Sequence, residues 1–152
     1  DDVLHGNMLG VTHVLNCRSD CLITAWQFCK LRYVGFWSDD HPGYPLLKLH
    51  YQNTARPLLD EARAGHGRCL VHCAMGMNRS AIIVAAYLID RLEMDLLTAV
   101  ELVKSARGCV LLNAGFRTQL IHFAAERGLL ANAVRRDAWR FRSPPPPKQT
   151  PS

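Results

Sequence analysis

Cys73 and Arg79 lie in Val71-His72-Cys73-Ala74-Met75-Gly76-Met77-Asn78-Arg79-Ser80-Ala81, between a short apolar run and a long one. The first run, Cys69–His72, reads as a buried parallel strand. The second, Ser80–Leu92, reads as a helix apolar enough to be buried on most sides. A loop joining a strand end to a helix N-terminus aims successive backbone N–H groups into one concavity. Those groups and the positive end of the helix favour an anion there. Gly76 permits a sharp turn and close approach of a ligand, and Arg79 supplies a planar fork that can hold two phosphate oxygens. Ala74, Met75, Gly76, Met77, Asn78 and Arg79 are therefore the candidate phosphate-binding residues. The field that binds phosphate also stabilises a thiolate, so the Cys73 thiol should ionise below the ~8.5 of a free thiol. A thiolate facing a bound phosphate ester is arranged for in-line attack, and a phosphocysteine intermediate divides one hard hydrolysis into two easier steps. The Ser80 hydroxyl can donate to the sulfur and ease its departure in the second step.

The elements that must position these groups follow from pattern. Val11–Leu15 is β-rich, preceded by a turn at Gly10 and closed by Asn16, and Leu31–Phe36 is a second strand candidate. Ser38–Pro45 is a loop by composition. Leu46–Ala64 reads as helix stopped by Gly65, with Pro57 predicting a kink or two shorter helices. Thr98-Ala-Val-Glu101 reads as a capping box opening a helix that runs to Arg107 and stops at Gly108. Asn113 can cap a last helix, Ala114–Arg127, ended by Gly128. Alternating strands and helices predict an α/β domain with a mostly parallel central sheet flanked by helices. The expected domain covers residues 1–130. Residues 131–152 read as a basic, proline-rich, largely disordered tail whose first part, Ala131–Arg142, can extend as a basic helix.

Length and composition set the bounds. A chain of 152 residues, 49% hydrophobic and 20% charged, suits one compact domain. The longest apolar stretch, Ala81–Ile89, falls far short of the ~20 residues of a membrane span. The opening Asp-Asp-Val-Leu-His has no signal-peptide character and no initiator Met. The six cysteines, Cys17, Cys21, Cys29, Cys69, Cys73 and Cys109, are irregularly spaced, which argues against a disulfide framework. Cys17-x3-Cys21 lacks a second ligand pair, so neither a metal nor a cofactor is expected. The formal charge is +5, and residues 131–152 carry most of it through Arg135, Arg136, Arg140, Arg142 and Lys148. Such a stretch is ordinarily solvated, though it can touch phosphoinositides, RNA or an acidic partner. Ser143-Pro144 and Thr150-Pro151 fit proline-directed kinases, and the proline run fits an SH3 or WW domain.

His72-Cys73-x2-Gly76-x2-Arg79-Ser80 resembles the P-loop of the cysteine-based protein tyrosine phosphatases, and Ala81–Ile89 is similar to the dual-specificity branch. Gly10–Asn16, Ala99–Arg107 and Asn113–Leu120 also resemble segments of that branch, so the likeness spans roughly residues 4–130. The resemblance implies a phosphatase-like sheet whose usual first strand this chain is expected to lack. It implies a general acid on a mobile loop upstream of the P-loop, which falls on Asp40 with Asp39 as runner-up. It also implies that the His72 imidazole hydrogen-bonds into the loop and supports the thiolate. His41 is expected to be only a loop residue, and Asn113 either reaches back to the P-loop or only caps its helix. Two residues depart from the family pattern: Asn78 stands where many members have Ser, and Leu112 where many have Pro.

The activity implied is that of a dual-specificity protein phosphatase, cleaving phosphate from Tyr and Ser/Thr side chains of phosphoproteins without a metal. The uncharged Ala74, Met75, Met77 and Asn78 argue against a polyphosphorylated inositol headgroup. A non-protein substrate such as an RNA 5′ phosphate is the alternative. Asn78 and the basic tail favour it, and the Asp39-Asp40 loop disfavours it, because similar RNA enzymes tend to lack that acid. A weakly active phospho-binding module is a third reading. The need for a reduced thiol implies cytoplasm, nucleus or both.

Overall fold

A computed structural model describes residues 10–19 and 31–131. Cys21, Cys29, the opening residues 1–9 and the basic, proline-rich segment from 132 onward, with its kinase and SH3/WW patterns, lie outside the described residues. The elements in chain order are β1 (Val11–Asn16), β2 (Arg32–Gly35), α1 (Leu47–Ala55), α2 (Arg56–Ala64), β3 (Arg68–His72), α3 (Arg79–Leu92), α4 (Leu96–Arg107) and α5 (Ala114–Glu126).

The three described strands form one parallel sheet in the order β2-β1-β3. The central strand buries most: Val14 and Leu15 are inaccessible, as expected where a parallel strand has neighbours on both sides. Leu15 pairs in register with Val34 of β2 and Val71 of β3, and Asn16 with Gly35 and His72. This register brings the C-terminal ends of β1 and β3 level, so Cys17 N–H donates to His72 C=O at 2.8 Å, directly before the P-loop. The sheet packs on α3, whose buried Ile82, Ile83, Ala85, Ala86 and Ile89 form the centre of the core with Tyr51, Leu120 and Phe116. Each large apolar side chain so buried contributes ~1.5–3 kcal/mol. The expectation of a helix buried on most sides holds, and no helix among the described residues is long and apolar enough to cross a membrane.

Two elements differ from expectation. The stretch Leu46–Ala64 does divide in two, but its first half is wound as a π-helix, with Arg56 N–H donating back five residues to Tyr51 C=O. The wider winding keeps Leu47, Tyr51 and Ala55 on one buried face, and Pro57, which has no N–H to give, sits in the first turn of α2. The capping box at Thr98 is corrected: α4 opens three residues earlier and Asp95 is its N-cap. Asp95 Oδ1 accepts from Thr98 N–H at 3.1 Å and Oδ2 from the Thr98 hydroxyl at 2.7 Å. A charged carboxylate in extended backbone satisfies a helix N-terminus better than a hydroxyl three residues inside it.

Candidate active site

The P-loop runs from the end of β3 into the first turn of α3. Gly76 adopts φ +67, a conformation open to glycine at little cost, and so turns the chain where the loop must close. Asn78 occupies the N-cap of α3 but makes no side-chain cap. The first-turn N–H groups are thus left to the loop, where that of Ser80 serves the Cys73 sulfur, as an anion-binding helix end allows.

The Cys73 thiol ionises below its ordinary value. Burial, the largest single influence, opposes the thiolate. Hydrogen bonds from the Ser80 hydroxyl and from the backbone of Ser80 and Gly76, with the Arg79 charge, outweigh it. The Ser80 Oγ lies 3.5 Å from Cys73 Sγ, within reach of a sulfur acceptor. The contrast with the neighbouring thiols is sharp. Burial pushes Cys69 up to about 11 and Cys17 further still, so these two stay protonated. All four described cysteines, Cys17, Cys69, Cys73 and Cys109, are free. His72 is lowered by burial, partly offset by a hydrogen bond with the Cys73 backbone. A neutral imidazole thus stands directly before the loop.

Arg79 is 6% exposed. Its Nη1 donates to Ser38 C=O at 3.0 Å, while its buried Nε has no partner among the described residues. A buried guanidinium N–H without an acceptor is costly, and a phosphate oxygen in the loop is the acceptor the site calls for. Ser38 is itself fully buried, its hydroxyl donating to Cys17 C=O. The residues just ahead of the expected acid are in this way fastened to the P-loop arginine and to the end of β1.

Between the two acid candidates the structure brings Asp40 to the P-loop. Asp40 Oδ2 accepts from Asn78 Nδ2 at 3.1 Å and Oδ1 from Asn113 Nδ2 at 2.9 Å. Asp39 is exposed. His41 shapes the loop turn, its Nδ1 accepting from Gly43 N–H. The Asn113 side chain caps its helix by accepting from Phe116 N–H at 3.2 Å, and it reaches the acid loop to hold Asp40. Only its backbone N–H reaches the P-loop, at Asn78 Oδ1. The side chain of Asn78, placed among the phosphate-binding residues, is committed to Asp40 and the 112–113 backbone, so only its position in the loop bears on phosphate. Met75 and Ala74 are exposed at the loop surface. Among the described residues no three His, Cys, Asp or Glu side chains converge as metal ligands.

Sequence reasoning missed several contributors. Arg107, at the end of α4, places its Nη2 3.2 Å from where a Gly76 Cβ would stand, so a second guanidinium abuts the loop and Gly76 cannot be enlarged freely. Gly115 lets α5 meet the acid loop, since a Cβ there would overlap the Pro42 carbonyl. Glycine near a helix start was the available signal for that second contact. Arg107 gave none, because a basic residue at a helix C-terminus is already explained by the helix dipole.

Comparison with known proteins agrees with this geometry. The family model described as "Dual specificity phosphatase, catalytic domain" matches residues 5–126. The mouse (Mus musculus) dual specificity protein phosphatase 13B is 35% identical over 138 residues, covering 88% of this chain and 65% of that protein. The Bos taurus dual specificity protein phosphatase 26 is 37% identical over 116 residues, covering 74% and 54%. The chain thus spans between about half and two-thirds of the length of these curated relatives. The crystal structure of human DUSP28 superposes with a TM-score of 0.68 at 32% identity, covering 78% of each chain. Because the matched span encloses the P-loop, the acid loop and both asparagines that join them, the chain belongs to the dual-specificity phosphatase family.

Proposed function

We propose that this chain is a protein phosphatase that hydrolyses phosphotyrosine and phosphoserine/phosphothreonine through a phosphocysteine intermediate, without a metal ion. The observation that carries the reading is the conjunction of a thiol held toward thiolate by Ser80, two backbone groups and Arg79 with a carboxyl fastened to the same loop through Asn78. In the first step the Cys73 thiolate attacks phosphorus in line, while the loop N–H groups and Arg79 hold the non-bridging oxygens. Asp40 gives its proton to the leaving oxygen, releasing Tyr, Ser or Thr. In the second step the Asp40 carboxylate takes a proton from water as its oxygen attacks phosphorus. Phosphate forms, and the thiolate departs toward the Ser80 hydroxyl. The substrates are phosphoproteins and the compartment a reducing one, cytoplasm or nucleus. The docked acid suits the poor alkoxide leaving groups of phosphoserine and phosphothreonine, whereas a phosphoanhydride at an RNA 5′ polyphosphate end expels phosphate and does not need such a donor.

The test is hydrolysis of a small aryl phosphate in the presence of EDTA. Wild type turns over. Cys73→Ser abolishes turnover, and Asp40→Asn lowers it by ~10²-fold or more. A well-folded wild type with no turnover would overturn the reading and leave a phospho-binding module. Turnover of RNA 5′ phosphates in preference to phosphopeptides would move the substrate class.

A further inference from the structure

Asn78 is the one P-loop side chain that reaches both the acid loop and the segment leading into α5. Its Oδ1 accepts two backbone N–H groups, from Leu112 at 2.8 Å and Asn113 at 3.1 Å. That pair settles the orientation of the amide. A half-turn would set its NH2 against two N–H donors, so the NH2 must face the other way, toward Asp40 Oδ2 at 3.1 Å. The two N–H groups converge because Leu111 takes a left-handed backbone, φ +58, which a leucine adopts only when held. It is held on both sides: Leu111 N–H donates to Met77 C=O at 2.8 Å, and Arg117 Nη1 caps the carbonyls of Leu111 and Leu112 at 3.0 and 2.8 Å. The arrangement also needs Leu112 to carry an N–H, which a proline at that position would not have.

We propose that Asn78 is a positioning residue for Asp40. Anchored at its oxygen by residues 112 and 113, it aims its amide at the carboxyl and holds the proton donor against the P-loop. Asn113 grips the second carboxyl oxygen from α5, so the carboxyl is held from two elements at once. This rests on the phosphatase reading and extends it to a specificity consequence. Esters with poor leaving groups, which need the donated proton, depend on Asn78 more than esters with good leaving groups do.

The experiment compares phenyl phosphate, a poor leaving group, with difluoromethylumbelliferyl phosphate, a good one. Wild type, Asn78→Ala, Asn78→Ser, Asp40→Asn and the Asn78→Ala/Asp40→Asn double variant are each checked for a native melt. Asn78→Ala lowers kcat on phenyl phosphate by about tenfold or more, and by several-fold less on the umbelliferyl ester. In the Asp40→Asn background the same substitution costs nothing further on phenyl phosphate, because the group it positions is gone. Should Asn78→Ala fail to fold, Asn78→Ser, too short to span Asp40 and the 112–113 backbone, carries the same two expectations. An equal loss on both esters, or a loss that adds to that of Asp40→Asn, overturns the role of Asn78 and leaves the phosphatase reading standing. A wild type that cleaves neither ester overturns the reading itself.

Discussion

The thiol of Cys73 is pulled in opposite directions by its surroundings, and the balance decides its chemistry. Half-burial alone would keep it protonated, as it does Cys69, which lies in the strand leading to it. The difference is local. Cys73 has passed the end of β3 into a loop where N–H groups, a hydroxyl and a guanidinium converge, while Cys69 has only a strand's hydrogen bonds. A depressed thiol pKa means that the thiolate persists to a lower pH than an ordinary thiol allows. Peptide-resolved alkylation by iodoacetamide should therefore modify Cys73 ahead of Cys69 and Cys17 at neutral pH, with a midpoint below the ordinary 9.0. Ser80→Ala, which removes the hydroxyl donor, should slow that modification at neutral pH by roughly fivefold. A Cys73 rate unchanged by Ser80→Ala would assign the stabilisation to the backbone and Arg79 alone.

The acid loop is an element defined by its attachments, since no helix or strand orders it. Ser38 C=O is held by Arg79, the Asp40 carboxyl by Asn78 and Asn113, and Tyr44 C=O by Gln119 Nε2 at 2.8 Å, whose Oε1 in turn accepts from Leu47 N–H. Pro42 rests on the N-terminal turn of α5 at Gly115. The resemblance implied a mobile loop, and in the conformation described four contacts along its length hold it closed on the P-loop and α5. Gly115→Ala tests the contribution of the closest of these contacts. The new methyl would overlap the Pro42 carbonyl, and because backbone cannot swing aside like a side chain tip, the loop must move. Alanine favours a helix over glycine by ~1 kcal/mol, so α5 should persist and helical circular dichroism stay unchanged. Turnover of phenyl phosphate should nonetheless fall on the order of 10²-fold, the usual cost of an ångström-scale displacement of a catalytic group. Full turnover would mean that the loop keeps its acid in place without the Pro42 contact.

For the whole molecule, buried titratable groups predict how stability depends on pH. Burial lowers His50 and His72 from the ordinary 6.5, so both are neutral in the fold and the unfolded chain binds protons first as pH falls through 6.5. Stability should decline there. Asp90 is lowered because hydrogen bonds from Arg127 and Tyr51 and the charges of Arg127 and Arg56 outweigh its burial. Its contribution is present above the ordinary 3.8 and is lost as pH falls through the folded value. Cys17 and Cys69, raised by burial, hold protons that the unfolded chain releases above 9.0, so stability should decline again on the alkaline side. Cys73 works in the opposite sense, and the measurement is cleanest in the Cys73→Ser protein. There Tm should be highest between about pH 6.5 and 9 and fall on both sides. A Tm that rises from pH 9 to 10.5 would contradict the burial of the two thiols.

Much of this protein was legible from local chemistry. An apolar strand, a glycine-turned loop and an apolar helix make an anion-binding nest whatever surrounds them, so Cys73, Arg79 and Ser80 could be placed from spacing alone. The glycine stop at Gly108 was equally local, since its φ of +81 is a backbone that favours glycine. What the sequence left open were groups joined across distance. Asp40 and Asn78 lie 38 residues apart, and Asn113 a further 35 from Asn78. Read singly, Asn78 and Leu112 were two separate departures from a family pattern. In the folded chain Leu112 N–H donates to Asn78 Oδ1 in one hydrogen bond, 2.8 Å long. Composition could not connect them, because only the docking of α5 and the 110–113 turn against the P-loop brings an N–H to that amide. The sequence by itself determined the loop that can receive an anion and named Asp40 ahead of Asp39; only the tertiary structure showed which side chains fasten Asp40 to that loop, because those contacts join segments far apart in the chain.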